Sequence, residues 1–265
     1  MSIEEASVEA RSRRHVIRIA AMLGASAAIG LATTKASRAA GRHSDPLFCD
    51  PVCLVRGARI ETVSGEIAIE NLVVGDLVRT AEGGFKRVRW IGHRSYSKGA
   101  EAAWPANVDP VLVMASAIGA GVPSRDLYLS PKHALFIDGY LIPVMFLING
   151  ATIRQNAYAQ DLVDYFHVEC DTHEVMFAEG LPVETFRLQD DYDGFANVAD
   201  HQRRFGATLA PVEPCAPVLG YWSLREDALA LLRSIGSICV DLRDPIHVAY
   251  DRIAARASFV MARSP

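Results

Sequence analysis

The feature that most constrains the fold is a series of short β-rich segments, separated by turn dipeptides, that extends from Cys53 to about Arg187. These segments carry β-branched and aromatic residues, and no long helical period lies between them. Closely spaced short strands of this kind predict an all-β domain rather than alternating β–α–β units. The predicted strands are Ala58–Val63, Ile67–Ile69, Leu77–Thr80, Lys86–Ile91, Leu127–Leu129 and Phe166–Cys170.

Glycine-containing dipeptides lie between many of these predicted strands. Glycine adopts positive φ angles at no steric cost, and tight hairpins need such angles. The predicted turns are Ser64-Gly65, Gly75-Asp76, Gly83-Gly84, Asp138-Gly139 and Asn149-Gly150.

The C-terminal part of the chain differs in composition from the β region. Gln189–Gly194 is acidic and is interpreted as a linker. Ser223 and Glu226 then have the spacing of a helix capping box, and apolar residues follow at helical spacing. We therefore assign residues 53–187 to the β domain and residues 188–265 to a linker and a short α-rich C-terminal extension.

The first 39 residues have the organisation of an export signal. Arg13 and Arg14 precede an uncharged run, Ile19–Thr34, which is rich in alanine and glycine. Small residues follow at Ser37-Arg38-Ala39-Ala40, with a predicted signal-peptidase site after Ala39. The paired arginines, with apolar residues behind them, resemble a twin-arginine signal. This interpretation predicts a signal at residues 1–39, a linker at 40–52 and an exported protein, periplasmic or extracellular.

Two other interpretations of the apolar run are open: a buried helix and an uncleaved membrane anchor. The run has 16 residues, and at about 1.5 Å per residue it is shorter than a hydrocarbon core of about 30 Å. In the anchor interpretation the protein touches the membrane only through this N-terminal segment.

Charge and composition exclude several functional classes. The formal net charge is −4 and the isoelectric point is about 6.1, which argues against a nucleic-acid-binding protein. Apolar residues beyond the N-terminus fall in short runs, which argues against a multispan membrane protein. The chain has five cysteines but no C-x-x-C pair and no histidine at zinc-finger spacing, so we predict neither a metal site nor a cofactor.

Four motifs occur in a fixed order in the β region. They are the segment that begins at Cys53, Ile69–Val78, Ser130-Pro131-Lys132-His133, and Tyr165–His173 with Ala178-Glu179-Gly180 after it. In this order, over about residues 50 to 190, they resemble the Hint module shared by inteins and Hedgehog autoprocessing domains, and most closely the bacterial Hint-domain group. The resemblance implies a disc-like all-β fold.

The resemblance also implies a reaction, in which Cys53 attacks the carbonyl of Val52 and converts the peptide bond into a thioester. This is an N-to-S acyl shift. Because an amide is a poor electrophile with a poor leaving group, the site must stabilise an oxyanion and protonate the departing nitrogen. By resemblance, Ser130 hydrogen-bonds the scissile peptide, His133 polarises it or donates the proton, and His173 assists breakdown of the intermediate.

The end of the β domain departs from the intein pattern. Inteins end in His-Asn, and the asparagine cyclises to release the downstream segment, whereas the matching region here contains Glu184 and Thr185. Neither side chain forms a succinimide. The resemblance therefore predicts single-turnover N-terminal self-cleavage without splicing, in which the only substrate is this chain's own peptide bond and the acyl acceptor is water or an unknown nucleophile.

Other interpretations of the same residues are open. A lone cysteine in a β-rich chain is commonly a small buried hydrophobe, so the domain can also be a catalytically silent exported module with a binding or structural role. His167 and Asp171 are accessory candidates that can simply hydrogen-bond across the sheet. Cys49 and Cys53 form a C-x3-C pair that would block the nucleophile if oxidised, although so short a loop strains a disulfide.

Overall fold

The computed structural model describes residues 51–99, 103–187, 194–206, 212–220 and 244–262. The chain divides into two units, Met1–Ser44 and Asp45–Pro265, and every described residue belongs to the second. The sequence predictions for the export signal, for Cys49 and for a helix beginning at Ser223 concern residues outside these ranges.

Thirteen strands and two α-helices form the described part of the chain. The strands are β1 Leu54–Val55, β2 Arg59–Thr62, β3 Gly65–Ala68, β4 Leu77–Thr80, β5 Gly84–Ser97, β6 Val111–Val113, β7 Leu127–Leu129, β8 Ala134–Ile137, β9 Tyr140–Pro143, β10 Ile153–Arg154, β11 Leu162–Cys170, β12 Val175–Ala178 and β13 Leu181–Glu184. The helices are α1 Val198–Phe205 and α2 Pro245–Met261, and two short 3-10 helices cover Ile69–Asn71 and Val144–Leu147.

The long strand β5 joins the two halves of the sheet. Its first four residues pair with β4, and its remainder pairs with β11 from Val88 to Ser97. One half contains β1, β6, β7, β10 and β11, and the other contains β2, β3, β4, β8, β9, β12 and β13. All of these strand pairings are antiparallel, which confirms the all-β prediction.

Tight turns occur where the sequence predicted them. Between β8 and β9, Asp138 and Gly139 have φ angles of 51° and 86°, the pair of left-handed conformations that a two-residue hairpin requires. Such a turn fixes the register of the hairpin, so that Ile137 lies opposite Tyr140.

The core is built from the inward-facing residues of these strands. Burial alternates along β5, where Val88 and Trp90 are covered and their neighbours are less so. This alternation is the pattern of a strand with one face on the core. The main buried cluster takes side chains from both halves, including Leu54 on β1, Leu135 on β8 and Val168 on β11. A second buried cluster contains Cys53 and Trp90.

The residues after 187 add helices to this sheet, which confirms an α-rich C-terminal extension. Helix α2 begins with Pro245, and the carboxylate of Asp244 accepts a hydrogen bond of 2.9 Å from the Ile246 amide, a standard N-terminal cap. Ala249 and Ile253, four residues apart on this helix, are buried in the main core. Within the described ranges, no helix has the length and hydropathy needed to cross a membrane.

Candidate active site

The site begins at Cys53, the residue immediately before β1. Strand β1 pairs with β7, with Leu54 opposite Leu129, and this register places Cys53 beside Ser130. The Cys53 amide donates a hydrogen bond of 2.7 Å to Ser130 Oγ, and the Ser130 amide donates one of 2.9 Å to the Cys53 carbonyl. Both residues are fully buried. The nitrogen of the Val52–Cys53 peptide bond therefore donates to the hydroxyl of Ser130, as the sequence analysis predicted.

His133 lies one turn after Ser130, just before β8. Its amide donates to the Ser130 carbonyl at 3.1 Å, which closes the turn and directs the ring into the interior. Burial lowers the pKa of His133 to about 4, while Glu184 and the nearby backbone of Val52 oppose this shift. His133 is therefore a neutral imidazole at pH 7, and it lies close to the carbonyl side of the same peptide bond.

His167, on β11, packs against His133. The two ring centroids are 5.0 Å apart, and His167 is also buried. Burial lowers the pKa of His167 well below its usual value, and proximity to His133 and His173 lowers it further. The cluster thus holds two adjacent neutral imidazoles, which act as hydrogen-bond donors and acceptors without adding positive charge.

His173 and Glu184 form the opposite side of the cluster. The Cys215 amide donates a hydrogen bond of 3.0 Å to His173 Nδ1, and His173 Nε2 lies 3.7 Å from Glu184 Oε2. The other oxygen of Glu184 accepts a bond of 2.8 Å from the amide of Ala134, the residue after His133. Glu184 therefore lies between His173, which one of its oxygens approaches, and the backbone next to His133, which the other oxygen binds. The two histidines come from different sequence motifs.

The histidines of this cluster have unused hydrogen-bonding capacity. Both ring nitrogens of His133 and of His167, and Nε2 of His173, are buried and make no hydrogen bond of good geometry to the described part of the chain, although backbone groups of Val52 and Glu184 lie near His133 and those of Glu184 and Thr185 lie near His167. Buried polar atoms are nearly always paired, and groups left unpaired concentrate at functional sites. This concentration beside the Val52–Cys53 bond is typical of a reactive centre.

The other accessory candidate, Asp171, lies elsewhere. It is exposed in the turn after β11, and the structure does not bring it into the buried cluster that contains His167. Thr185 is fully buried, and its hydroxyl accepts a hydrogen bond of 2.9 Å from the Glu174 amide. Thr185 is thus part of the framework that supports Glu184.

Sequence reasoning missed two residues of this region. Glu184 was noted only because it cannot cyclise, although a carboxylate at the end of the otherwise apolar strand β13 was an available signal. Tyr165 packs in the same buried cluster as Cys53, and its hydroxyl donates a bond of 2.6 Å to the Val108 carbonyl. An aromatic residue on a strand carries no sequence signal that separates this position from ordinary core.

Metal binding was tested on the same geometry. In residues 51–99, 103–187, 194–206, 212–220 and 244–262, no group of three or more histidine, cysteine, aspartate or glutamate side chains has an arrangement suited to a metal ion.

Comparisons with known proteins found a matching family model and several similar solved structures. The family model of the Hint domain matches residues 52–190, just over half of the chain. Among solved structures, the MchDnaB-1 intein is 15% identical with a TM-score of 0.36, over 50% of this chain and 99% of its own. A bacterial intein-like domain from Clostridium thermocellum is 13% identical with a TM-score of 0.31, over 51% and 99%. No curated protein matches the chain.

Proposed function

Because this chain belongs to the Hint domain family, whose members are autoprocessing-type domains, we propose that it cleaves itself at the Val52–Cys53 bond by an N-to-S acyl shift, without splicing. One observation carries the proposal. The nitrogen of this peptide bond donates to Ser130 Oγ at 2.7 Å, and the backbone of Val52 lies near the ring of His133. A hydroxyl and a neutral imidazole thus flank the two ends of the peptide bond that Cys53 would attack, which supports the proposal.

The proposed first step exchanges one bond for another. The Cys53 sulfur attacks the Val52 carbonyl carbon, which gives a tetrahedral oxyanion, and the thiol proton is transferred in net terms to the departing nitrogen. The carbon–nitrogen bond then breaks as the nitrogen takes up a proton, and the products are a thioester at Cys53 and a free Cys53 amine. His133, neutral at pH 7 because burial lowers its pKa to about 4, supplies an N–H donor for this step.

The proposed second step releases the N-terminal segment. Water or another nucleophile attacks the thioester, the carbon–sulfur bond breaks, and the Cys53 thiol is regenerated. His173, 3.7 Å from Glu184, supports this step. Release downstream of the domain is not part of the proposal, because Thr185 lacks the side-chain amide that cyclises in inteins.

The proposal extends to location. The twin-arginine-like signal at residues 1–39 supports export of the folded domain to the periplasm or the extracellular medium. If the signal instead stays in the membrane as an anchor, cleavage before Cys53 releases the domain from it.

Intact-mass spectrometry of the purified full chain tests the reaction. We expect a fragment that begins at Cys53, formed faster with hydroxylamine because this nucleophile intercepts thioesters. Cys53→Ala removes the nucleophile and should abolish the fragment. Cys170→Ala is the matched control, since Cys170 is also buried, with a pKa that burial raises to about 12, and should leave cleavage intact.

Two results would contradict the proposal. An unchanged fragment from Cys53→Ala would assign the cleavage to another agent. No fragment from the wild type, even with hydroxylamine, would favour the catalytically silent binding or structural module instead.

A further inference from the structure

An extended segment beyond the family-matched residues, 212–220, lies along β9. The Leu141 amide donates to the Pro217 carbonyl, and the Leu219 amide donates to the Leu141 carbonyl, both at 2.9 Å. These bonds form a parallel bridge between Leu141 and Val218. Ala216 and Val218 pack on a small buried cluster formed with Leu141. The segment is therefore held by backbone bonds and by apolar packing, as an edge strand would be.

This segment makes one direct contact with the site. The Cys215 amide donates to His173 Nδ1 at 3.0 Å. A backbone N–H always donates, so Nδ1 must accept, and a neutral imidazole that accepts at one nitrogen carries its proton on the other. His173 is consequently the Nε2–H tautomer, and Nε2 lies 3.7 Å from Glu184 Oε2.

We propose that segment 212–220 is a positioning element of the self-cleavage site, in which the Cys215 backbone amide fixes the tautomer and the ring orientation of His173 toward Glu184. The inference deepens the proposed function and rests on it for its effect on the cleavage rate. The tautomer of His173 does not depend on the proposed function, because it follows from the hydrogen bond between the Cys215 amide and His173 Nδ1.

The backbone of Cys215, rather than its thiol, carries this role. Cys215 is exposed, but desolvation of its thiol by the surrounding chain, followed by the charges of Glu174 and Glu184, raises the thiol pKa to about 11. Since the thiolate is the nucleophilic form, the thiol is almost entirely protonated at pH 7. The amide bond to His173 does not depend on the identity of the side chain, unless that side chain is proline.

The test compares proline substitutions in the full chain, with Cys53→Ala present so that the protein stays intact. Histidine ¹⁵N–¹H long-range correlation spectra report the tautomer, and His173→Gln assigns the signal. We expect the Nε2–H pattern for His173, its retention in Cys215→Ala, and its loss in Cys215→Pro, which has no amide proton. Glu213→Pro is the control, because it places a proline at an exposed position of the same segment without removing this donor.

Cleavage rates with Cys53 restored give the second readout. Cys215→Pro should slow fragment formation about tenfold, less than the 10²–10⁴-fold expected for losing a general acid or base outright, while Glu213→Pro should match the wild type. An Nδ1–H tautomer in the parent protein overturns the inference whether or not Cys215→Pro folds, and so do equal rates in the two proline variants. A wild type that never cleaves overturns the proposed function, and the tautomer spectrum still decides the positioning.

Discussion

Two histidine–carboxylate contacts in this molecule use the same residue types in different ways. In the site, His173 Nε2 lies 3.7 Å from Glu184, and the ring nitrogens of the neighbouring histidines make no well-formed hydrogen bond to the residues that the structure describes. Where α1 meets the sheet, His201 Nε2 lies 2.6 Å from Glu169 Oε2. Both histidines are buried.

The surroundings of the second contact explain the difference. The His201 ring packs edge-on against Trp90 and Phe205, with centroids 4.8 and 4.7 Å away, and Arg89 lies over Phe205 and 3.7 Å from Glu169. A short hydrogen bond enclosed by aromatic rings attaches a helix to a sheet. The looser contact lies beside imidazoles whose ring nitrogens make no hydrogen bond of good geometry to the described part of the chain. The two pairs therefore differ in hydrogen bonding rather than in residue type.

The largest expected effect tests that separation through the reaction. His133→Ala should slow N-terminal cleavage about 10²–10⁴-fold, because it removes the donor beside the scissile peptide. His201→Phe should change the rate no more than a few-fold. The measurement is the rate of fragment formation by intact mass. An equal decrease in cleavage rate in the two variants would show that the buried His133 of the site contributes no more to cleavage than His201 does.

The next effect concerns pH and stability. The folded pKa of His133, about 4, lies below the unfolded value of about 6.5, so the unfolded chain takes up a proton first as the pH falls. The stability contributed by neutral His133 is fully present above pH 6.5 and is lost as the pH falls towards 4, by on the order of 3 kcal/mol.

Urea unfolding of Cys53→Ala, with and without His133→Asn, between pH 7 and pH 4.5 measures this contribution. The pH dependence should be weaker in the double variant, and identical curves would contradict a buried neutral His133. Glu169 acts in the opposite sense, because burial raises its pKa to about 7 and its contribution is lost as the pH rises to that value. Since Glu169 is present in both proteins, the difference between them isolates His133.

The smallest effect tests the structural pair. His201→Phe keeps an aromatic ring but removes the hydrogen bond to Glu169, and should lower the free energy of unfolding by about 1–3 kcal/mol. Arg203→Ala is the control on the same helix, because its ion pair with Asp200 at 3.3 Å is exposed and such pairs contribute about 0–1 kcal/mol. Urea denaturation checks both. An equal loss in the two variants would mean that the His201–Glu169 bond is not what attaches α1.

Much of the fold was predictable from local pattern. Leu77–Thr80 and Leu127–Leu129 are strands with the predicted bounds. The predicted segments Lys86–Ile91 and Phe166–Cys170 belong to the longer strands β5 and β11. The extra length escaped prediction because residues of low β-propensity, such as Asp164, lie there, and only pairing between the two strands makes that stretch regular.

The site was predictable in part. Cys53, Ser130, His133 and His173 were chosen from motif order, and the structure brings all four to one buried region together with His167. Asp171 was chosen from the same motif as His167 but is exposed, because the chain turns at the end of β11. The contact of Cys215 with His173 spans 42 residues and leaves no trace in spacing, since a backbone amide is present at almost every position.

The sequence by itself determined the residue types, their order and the turns, because hydrophobic alternation and glycine φ preferences act over a few residues. It also determined that no asparagine stands where an intein would need one. Only the tertiary structure decided which polar side chains meet. Strand pairing placed Ser130 at the Cys53 amide, Glu184 beside His133 and the Cys215 amide on His173. The physical reason is that register and burial depend on long-range packing, and these set both the unpaired imidazole nitrogens and the tautomer on which the proposed chemistry depends.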